Sequence, residues 1–238
     1  MLKIDDLRVR FDGVEALAGL TVSIPAGTRI GVLGPNGSGK TTLFNAISGL
    51  VALAGGSIRL DGQAISGLAP HRIAAAGVAR TFQSVRLFHR LSVLDNVLPA
   101  AGAAATTSHA AREAALAALD IAGLSPRRDA LAGDLGFYDQ RRLEIARAVA
   151  QRPRLLLADE PTGGLSQAES DQVVALIGRA FGPDTAILLI EHQVAAVEAL
   201  CPRSLLLAEG RVVADAATSD MRRDRSLADV YFGTRLTH

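Results

Sequence analysis

Tryptophan is absent from this 238-residue chain, which has only two tyrosines and seven phenylalanines. With so few rings, an interior must be built from Leu, Val, Ile and Ala, and the 49% apolar content supplies them. A single cysteine, Cys201, excludes an intramolecular disulfide and a cysteine-rich metal site. Beside Pro202 it reads as a small buried hydrophobe. Excess charge of either sign is missing too: 25 basic against 24 acidic side chains leave +1, so no nucleic-acid partner is expected. No run reaches the about eighteen apolar residues of a membrane span. The Ala-rich stretch from Leu98 to Leu124 comes nearest, but His109, Arg112, Glu113 and Asp120 interrupt it. The N-terminus lacks the basic, apolar and small-residue regions of a secretion signal, and the chain reads as cytosolic. Its length suits one α/β domain or two intimate subdomains.

Lysine is scarcest among the charged residues, occurring only as Lys3 and Lys40. Lys40 sits in Gly34-Pro35-Asn36-Gly37-Ser38-Gly39-Lys40-Thr41, which fits the phosphate-loop pattern G-x-x-x-x-G-K-[ST] throughout. The apolar run Arg29–Leu33 precedes it and the helix-like Thr42-Leu43-Phe44-Asn45-Ala46-Ile47 follows, the strand–loop–helix setting the motif requires. Glycines let the backbone curl so that successive N–H groups and a helix N-terminus face one anion. Lys40 can then neutralise β- and γ-phosphates, and Thr41 can offer its hydroxyl to Mg²⁺.

Leu2 to Val9 and Leu20 to Ile24 alternate apolar and polar residues around Asp12-Gly13 and Pro25-Ala26-Gly27, which predicts half-buried antiparallel strands and turns. Ser57–Leu60 with Asp61-Gly62 predicts another. From about Pro70 to Arg152 the period is helical, and Ala100 to Ala118 adds an Ala-rich helix-forming stretch. Leu155–Ala158, Ala186–Ile190 and Leu205–Ala208 are short, unbroken apolar runs, as in a parallel sheet buried on both faces. Glu209-Gly210 predicts a hairpin turn into Val212–Ala214.

Two of those runs end in polar groups suited to phosphate chemistry. Leu155-Leu156-Leu157-Ala158 delivers Asp159 and Glu160, a Walker B pattern in which Asp159 would hold Mg²⁺ and Glu160 would act as general base on water. Ala186–Ile190 delivers Glu191 and His192, the latter a candidate γ-phosphate contact.

With these elements in order, the chain resembles an ATP-binding-cassette (ABC) ATPase over essentially its whole length. Further matches are Phe11 (adenine-stacking aromatic), Gln83 (Q-loop), Gln140 to Ala148 (signature helix) and Leu165-Ser166 (D-loop). Arg80–Val97, Gln140–Arg147, Ile190-Glu191-His192 and the ending Val230-Tyr231-Phe232-Gly233 resemble the ATPase subunits of branched-chain amino acid importers. The resemblance implies an α/β phosphate-loop NTPase with a RecA-like, mostly parallel core, an antiparallel β subdomain and an inserted helical subdomain. Residues 1–80 and 153–238 would form core and β subdomain, and 81–152 the helical subdomain. It implies ATP and Mg²⁺ as cofactors, with nucleotide held by Phe11, Gly34, Pro35, Asn36, Gly37, Ser38, Gly39, Lys40, Thr41, Thr42 and Gln83. Metal would be held by Thr41, Gln83 and Asp159, with Glu160 and His192 catalytic. Leu87, Phe88, Leu91 and Val93 would form the groove for a cytoplasmic helix of a membrane permease subunit.

The signature is where the chain departs from its family. Leu135-Gly136-Phe137-Tyr138-Asp139 stands where the family has Leu-Ser-Gly-Gly-Gln, the segment that binds the γ-phosphate held by the opposite ATPase subunit. Gly136 loses a hydroxyl donor, and Tyr138 would place a ring or an unfavourable φ where backbone should approach phosphate, each worth roughly 1–3 kcal/mol. Ser166 replaces the Asp preferred in the D-loop. A homodimer would therefore have no complete site, which favours a second, non-identical ATPase subunit. The implied setting is the cytoplasmic face of the inner membrane, peripheral to permease subunits, with a substrate-binding protein acting indirectly. Export, or a regulatory nucleotide-binding subunit with weak hydrolysis, are the alternatives.

Overall fold

The computed structural model describes residues 1–223, so the Val230–Gly233 match lies outside the described residues. Strands β1 (Leu2–Phe11) and β2 (Val14–Ile24) form a hairpin, joined at the other edge of β1 by β4 (Gly55–Leu60) and then β5 (Gln63–Ala64). This four-stranded sheet, ordered β2-β1-β4-β5, is antiparallel throughout. The second sheet is ordered β10-β9-β3-β8-β7-β6. Its members are β3 (Arg29–Leu33), β6 (Val78–Thr81), β7 (Leu155–Asp159), β8 (Ala186–Ile190), β9 (Arg203–Ala208) and β10 (Arg211–Ala217). All its neighbours pair in parallel except β10, which turns back on β9 through Glu209-Gly210 as the sequence predicts.

The parallel strands read as unbroken apolar runs because alternate residues enter different cores. Leu155, Leu157, Leu188, Ile190, Leu205 and Leu207 face a layer shared with the antiparallel sheet and helix α1 (Lys40–Ile47). Leu156, Ala158, Ile187, Leu189 and Leu206 face a layer of helices. A period of two serves both faces at once, so the runs Leu155–Ala158, Ala186–Ile190 and Leu205–Ala208 have no polar position. Those helices are α3 (Val93–Ala104), α4 (Ser108–Ile121), α5 (Phe137–Ala150), α6 (Gln167–Ala180) and α7 (Val194–Leu200). Short α2 (Pro70–Ala75) precedes β6, and α8 (Thr218–Arg223) follows β10. Ser92 and Thr107 cap α3 and α4, and Ser166 with Glu169 forms a capping box on α6.

The helical expectation for Pro70 to Arg152 is corrected at two places. Val78–Thr81 is an edge strand, paired only with β7. Its four residues are too few for a period of two to be told from a period of 3.6. The segment from Phe82 to Ser92 is irregular, held by Asn96, whose side chain accepts from Phe88 N at 2.8 Å and donates to Phe88 O and Ser92 O.

Candidate nucleotide site

The phosphate loop leaves the C-terminal end of β3, in the middle of the parallel sheet. Gly34 has φ 146°, and a Cβ there would lie 2.2 Å from Leu207 O; Gly39 has φ 105° and is the N-cap of α1. Only glycine satisfies both the conformation and the close approach. Gly210 N donates to Ser38 O, and Ala18 N donates to Gly210 O. The hairpin β1–β2 thereby braces the loop, and Phe11, half exposed, lies near that hairpin's tip.

Lys40 folds back across its own loop. Its Nζ donates to Gly34 O at 2.7 Å and Pro35 O at 2.9 Å. Burial lowers its pKa, and the charges of Glu160 and Asp159 oppose that shift. Loop and carboxylates, some 120 residues apart in the chain, thus form one electrostatic unit. Ser38 Oγ is buried without a hydrogen-bond partner, and a Cβ on Gly37 would meet nothing within 4 Å. An orphaned hydroxyl beside an open, N–H-rich loop fits a phosphate chain. Thr41, Gln83 and Asp159 offer only oxygen donors to a cation, the chemistry that suits Mg²⁺ completed by substrate phosphates. Among the described residues no cluster of three His, Cys, Asp or Glu forms a site for a metal by itself.

At the end of β7, Glu160 has φ 46°, a left-handed conformation costly for a non-glycine residue. Two side chains hold its carboxylate: Gln83 Nε2 donates to Oε2 at 2.9 Å, and His192 Nε2 lies 3.0 Å from Oε1. Gln83 and His192 therefore converge on Glu160, with the Gln83 amide nitrogen on that carboxylate. Glu160 N donates to Ile190 O at 2.9 Å, tying the ends of β7 and β8.

Several residues of the site lie inside matched segments but have no role of their own in the sequence reading. Arg80, partly buried on β6, donates to Asp159 Oδ2, Asn45 Oδ1 and Ser48 Oγ, each at 2.8 Å, and its guanidinium lies over the Phe44 and Phe82 rings. Arg141 and Glu144 form a buried ion pair on α5. Glu144 Oε1 accepts from Phe82 N at 2.9 Å, while Arg141 donates to Phe82 O at 2.7 Å and to Gln83 O. The pair fixes the backbone that carries Gln83. Burial raises the Glu144 pKa, opposed by the Phe82 N–H and by Arg141. The available signal was a charged residue inside an otherwise apolar strand or helix face.

The signature segment forms the start of α5, with Gly136 as N-cap and no side-chain cap on its first N–H groups. Tyr138 is its second residue and is not among the positive-φ residues, so the expected backbone strain is absent. Its hydroxyl donates to Gln172 Oε1 at 2.6 Å and Arg142 lies over its ring, which packs along α6. Phe137 reaches the D-loop: a Cβ on Gly164 would lie 3.1 Å from its ring. Asp139 accepts from Arg142 at 2.8 Å. Of the proposed permease groove, Phe88 and Leu91 are exposed and Leu87 is partly buried. Val93 is fully buried at the start of α3 and belongs to the core, because the α3 turn points it at the helical layer. Cys201 is buried as expected, its pKa pushed up to about 12 by burial.

The ABC transporter family profile matches residues 17–163. The chain is 36% identical over 249 residues, 98% of both chains, to the high-affinity branched-chain amino acid transport ATP-binding protein BraF of Pseudomonas aeruginosa. It is 29% identical over 233 residues to the lipopolysaccharide export system ATP-binding protein LptB of Escherichia coli, covering 98% of this chain and 97% of that one. The ADP conformation of MJ1267, an ATP-binding cassette of an ABC transporter, superposes with TM-score 0.86 at 23% identity over 97% of this chain and 98% of that one, which shows the same fold.

Proposed function

This chain belongs to the ABC transporter family and is an ATP-hydrolysing subunit, and from that premise we propose that it drives import of branched-chain amino acids or a similar small solute. The supporting observation is identity to BraF along nearly the full length of both chains, above that to the export ATPase LptB. The working location would be the cytoplasmic face of the membrane, against permease subunits. No described helix is long and apolar enough to cross a membrane, so the permease would supply the path. Phe88 and Leu91 give the exposed apolar surface for that contact. Residues 81–152 would act as the helical subdomain that passes the movement on.

In this reading Lys40 exchanges its bonds to Gly34 O and Pro35 O for the β- and γ-phosphates, and Ser38 Oγ and the α1 N–H groups complete the cradle. Phe11 stacks on adenine. Thr41 and Asp159, with Gln83, are the oxygen donors that would hold Mg²⁺, whose charge offsets that of the phosphates. Glu160 accepts a proton from the attacking water, and His192 steadies both Glu160 and the γ-phosphate. A second subunit's signature closes the site head to tail.

Uptake of labelled leucine, isoleucine and valine tests the substrate. Cells lacking this chain should lose high-affinity uptake, and the wild-type chain but not Lys40→Ala should restore it. Uptake that is unchanged without the chain would overturn the assignment.

A further inference from the structure

We propose that Glu191 is a positioning residue for ATP hydrolysis, its carboxylate clamping together the two loops that carry Glu160 and His192. The inference rests on the ATPase reading and assigns work to a buried residue whose hydrogen-bond donors come from the Glu160 and His192 loops.

Glu191 follows β8 and is 4% exposed, an uncommon place for a carboxylate. Its partners among the described residues are three neutral donors. Oε1 accepts from Thr162 N at 2.8 Å and Thr162 Oγ1 at 2.6 Å, and Oε2 accepts from His192 N at 3.2 Å. Thr162 is itself fully buried and stands two residues after Glu160, at the turn leading to Leu165-Ser166 and α6. One oxygen therefore fixes the loop after the general base, and the other fixes the backbone of the histidine. The outcome is the 3.0 Å contact between His192 Nε2 and Glu160 Oε1.

Chemistry explains why a carboxylate is used. Ionised, it is an acceptor at both oxygens, so it can bond N–H donors from two loops at once. The isosteric amide has one acceptor and one donor. In Glu191→Gln, the amide N–H must confront either the Thr162 donors or the His192 N–H. The loops would then part by a fraction of an ångström, with nothing removed from the nucleotide cradle. Misplacement on that scale costs catalysis more than binding.

The test uses the full chain, with its permease where turnover requires it, and MgATP as the probe. Glu191→Gln should lower kcat at least tenfold while KM for MgATP changes less than threefold. Thr162→Val should reproduce that loss and Thr162→Ser should rescue it, so the test stands even if Glu191→Gln fails to fold. In a Glu160→Gln background, adding Glu191→Gln should cause little further loss of the residual rate, because both changes act through one contact. A wild-type kcat in Glu191→Gln and Thr162→Val, or a full additive loss in the Glu160→Gln background, would overturn the inference while leaving the ATPase reading intact. Absence of turnover in the wild-type chain with its permease would overturn both.

Discussion

Gln83 and Glu160 meet side chain to side chain across 77 positions, the amide Nε2 donating to Oε2 at 2.9 Å. The contact joins the irregular segment after β6 to the end of β7, so the Glu160 carboxylate, the proposed general base, is held from the helical side of the molecule. His192 holds the other oxygen. In this arrangement neither Glu160 oxygen is without a partner, and a water would have to compete with Gln83 or His192 to reach the carboxylate. ATP-driven closure would have to loosen one of these bonds before hydrolysis. In the proposed function, the Gln83 backbone, clamped by Arg141 and Glu144, would lie between the permease contact and the chemistry.

Removing the loop cation should abolish nucleotide affinity. Lys40 is the lysine of the cradle and already lies against two loop carbonyls. Lys40→Ala leaves phosphate charge uncompensated in a partly desolvated site. Calorimetric titration with ATP should show no binding at concentrations that saturate the wild type, and unchanged affinity would sink the phosphate-loop assignment.

Glu160→Gln should separate binding from chemistry. Lys40, Thr41 and Asp159 remain, so MgATP still binds. The amide cannot take the proton, and turnover should slow at least about a hundredfold. The variant should also accumulate a closed, ATP-bound dimer in size-exclusion chromatography. Hydrolysis near the wild-type rate would remove Glu160 from its role.

Repair of the signature tests the asymmetric-dimer reading. A Cβ on Gly136 would meet nothing within 4 Å, so Gly136→Ser fits without rearrangement. Tyr138→Gly removes a ring and its bond to Gln172, and glycine in the first turn of α5 costs about 0.5–1 kcal/mol of stability. The double variant should raise turnover at least about tenfold at the partner's phosphate loop, if each restored contact is worth about 1 kcal/mol. The gain should survive loss of Lys40 and vanish with the partner's loop lysine. Tyr138→Phe, which keeps the ring, should give no gain if bulk is the obstacle. A repaired chain no faster than its parent would mean the loop already tolerates Tyr138.

Breaking the Arg141–Glu144 pair should destabilise the fold and disturb the Q-loop together. Glu144→Ala leaves the Arg141 charge and the Phe82 N–H buried without their acceptor. The expected cost is about 3–5 kcal/mol in denaturant unfolding. Hydrogen exchange should rise at Phe82 and Gln83 before it rises in the parallel sheet. A loss below about 1 kcal/mol would show that the pair is not a structural tie.

The sequence by itself determined the contiguous features. The glycine pattern from Gly34 to Gly39 dictates a tight loop at a helix N-terminus, the setting that favours an anion such as phosphate. Apolar runs ending in Asp159-Glu160 and in Glu191-His192 dictate buried strands with polar groups at their C-terminal ends. The hairpin at Glu209-Gly210 follows from local turn chemistry. All of these are written within about ten residues, where backbone periodicity and turn preference are legible. Tertiary structure alone decided the partnerships. That Arg80 meets Asp159 follows from β6 lying beside β7. That Glu191 meets Thr162 follows from β7 lying beside β8. Sheet order is set by how two hydrophobic layers close on both faces at once, a property of the whole chain. Tyr138 makes the same point. The sequence shows that a ring stands in the signature segment, and only the fold shows that its hydroxyl bonds Gln172 on α6 of its own molecule.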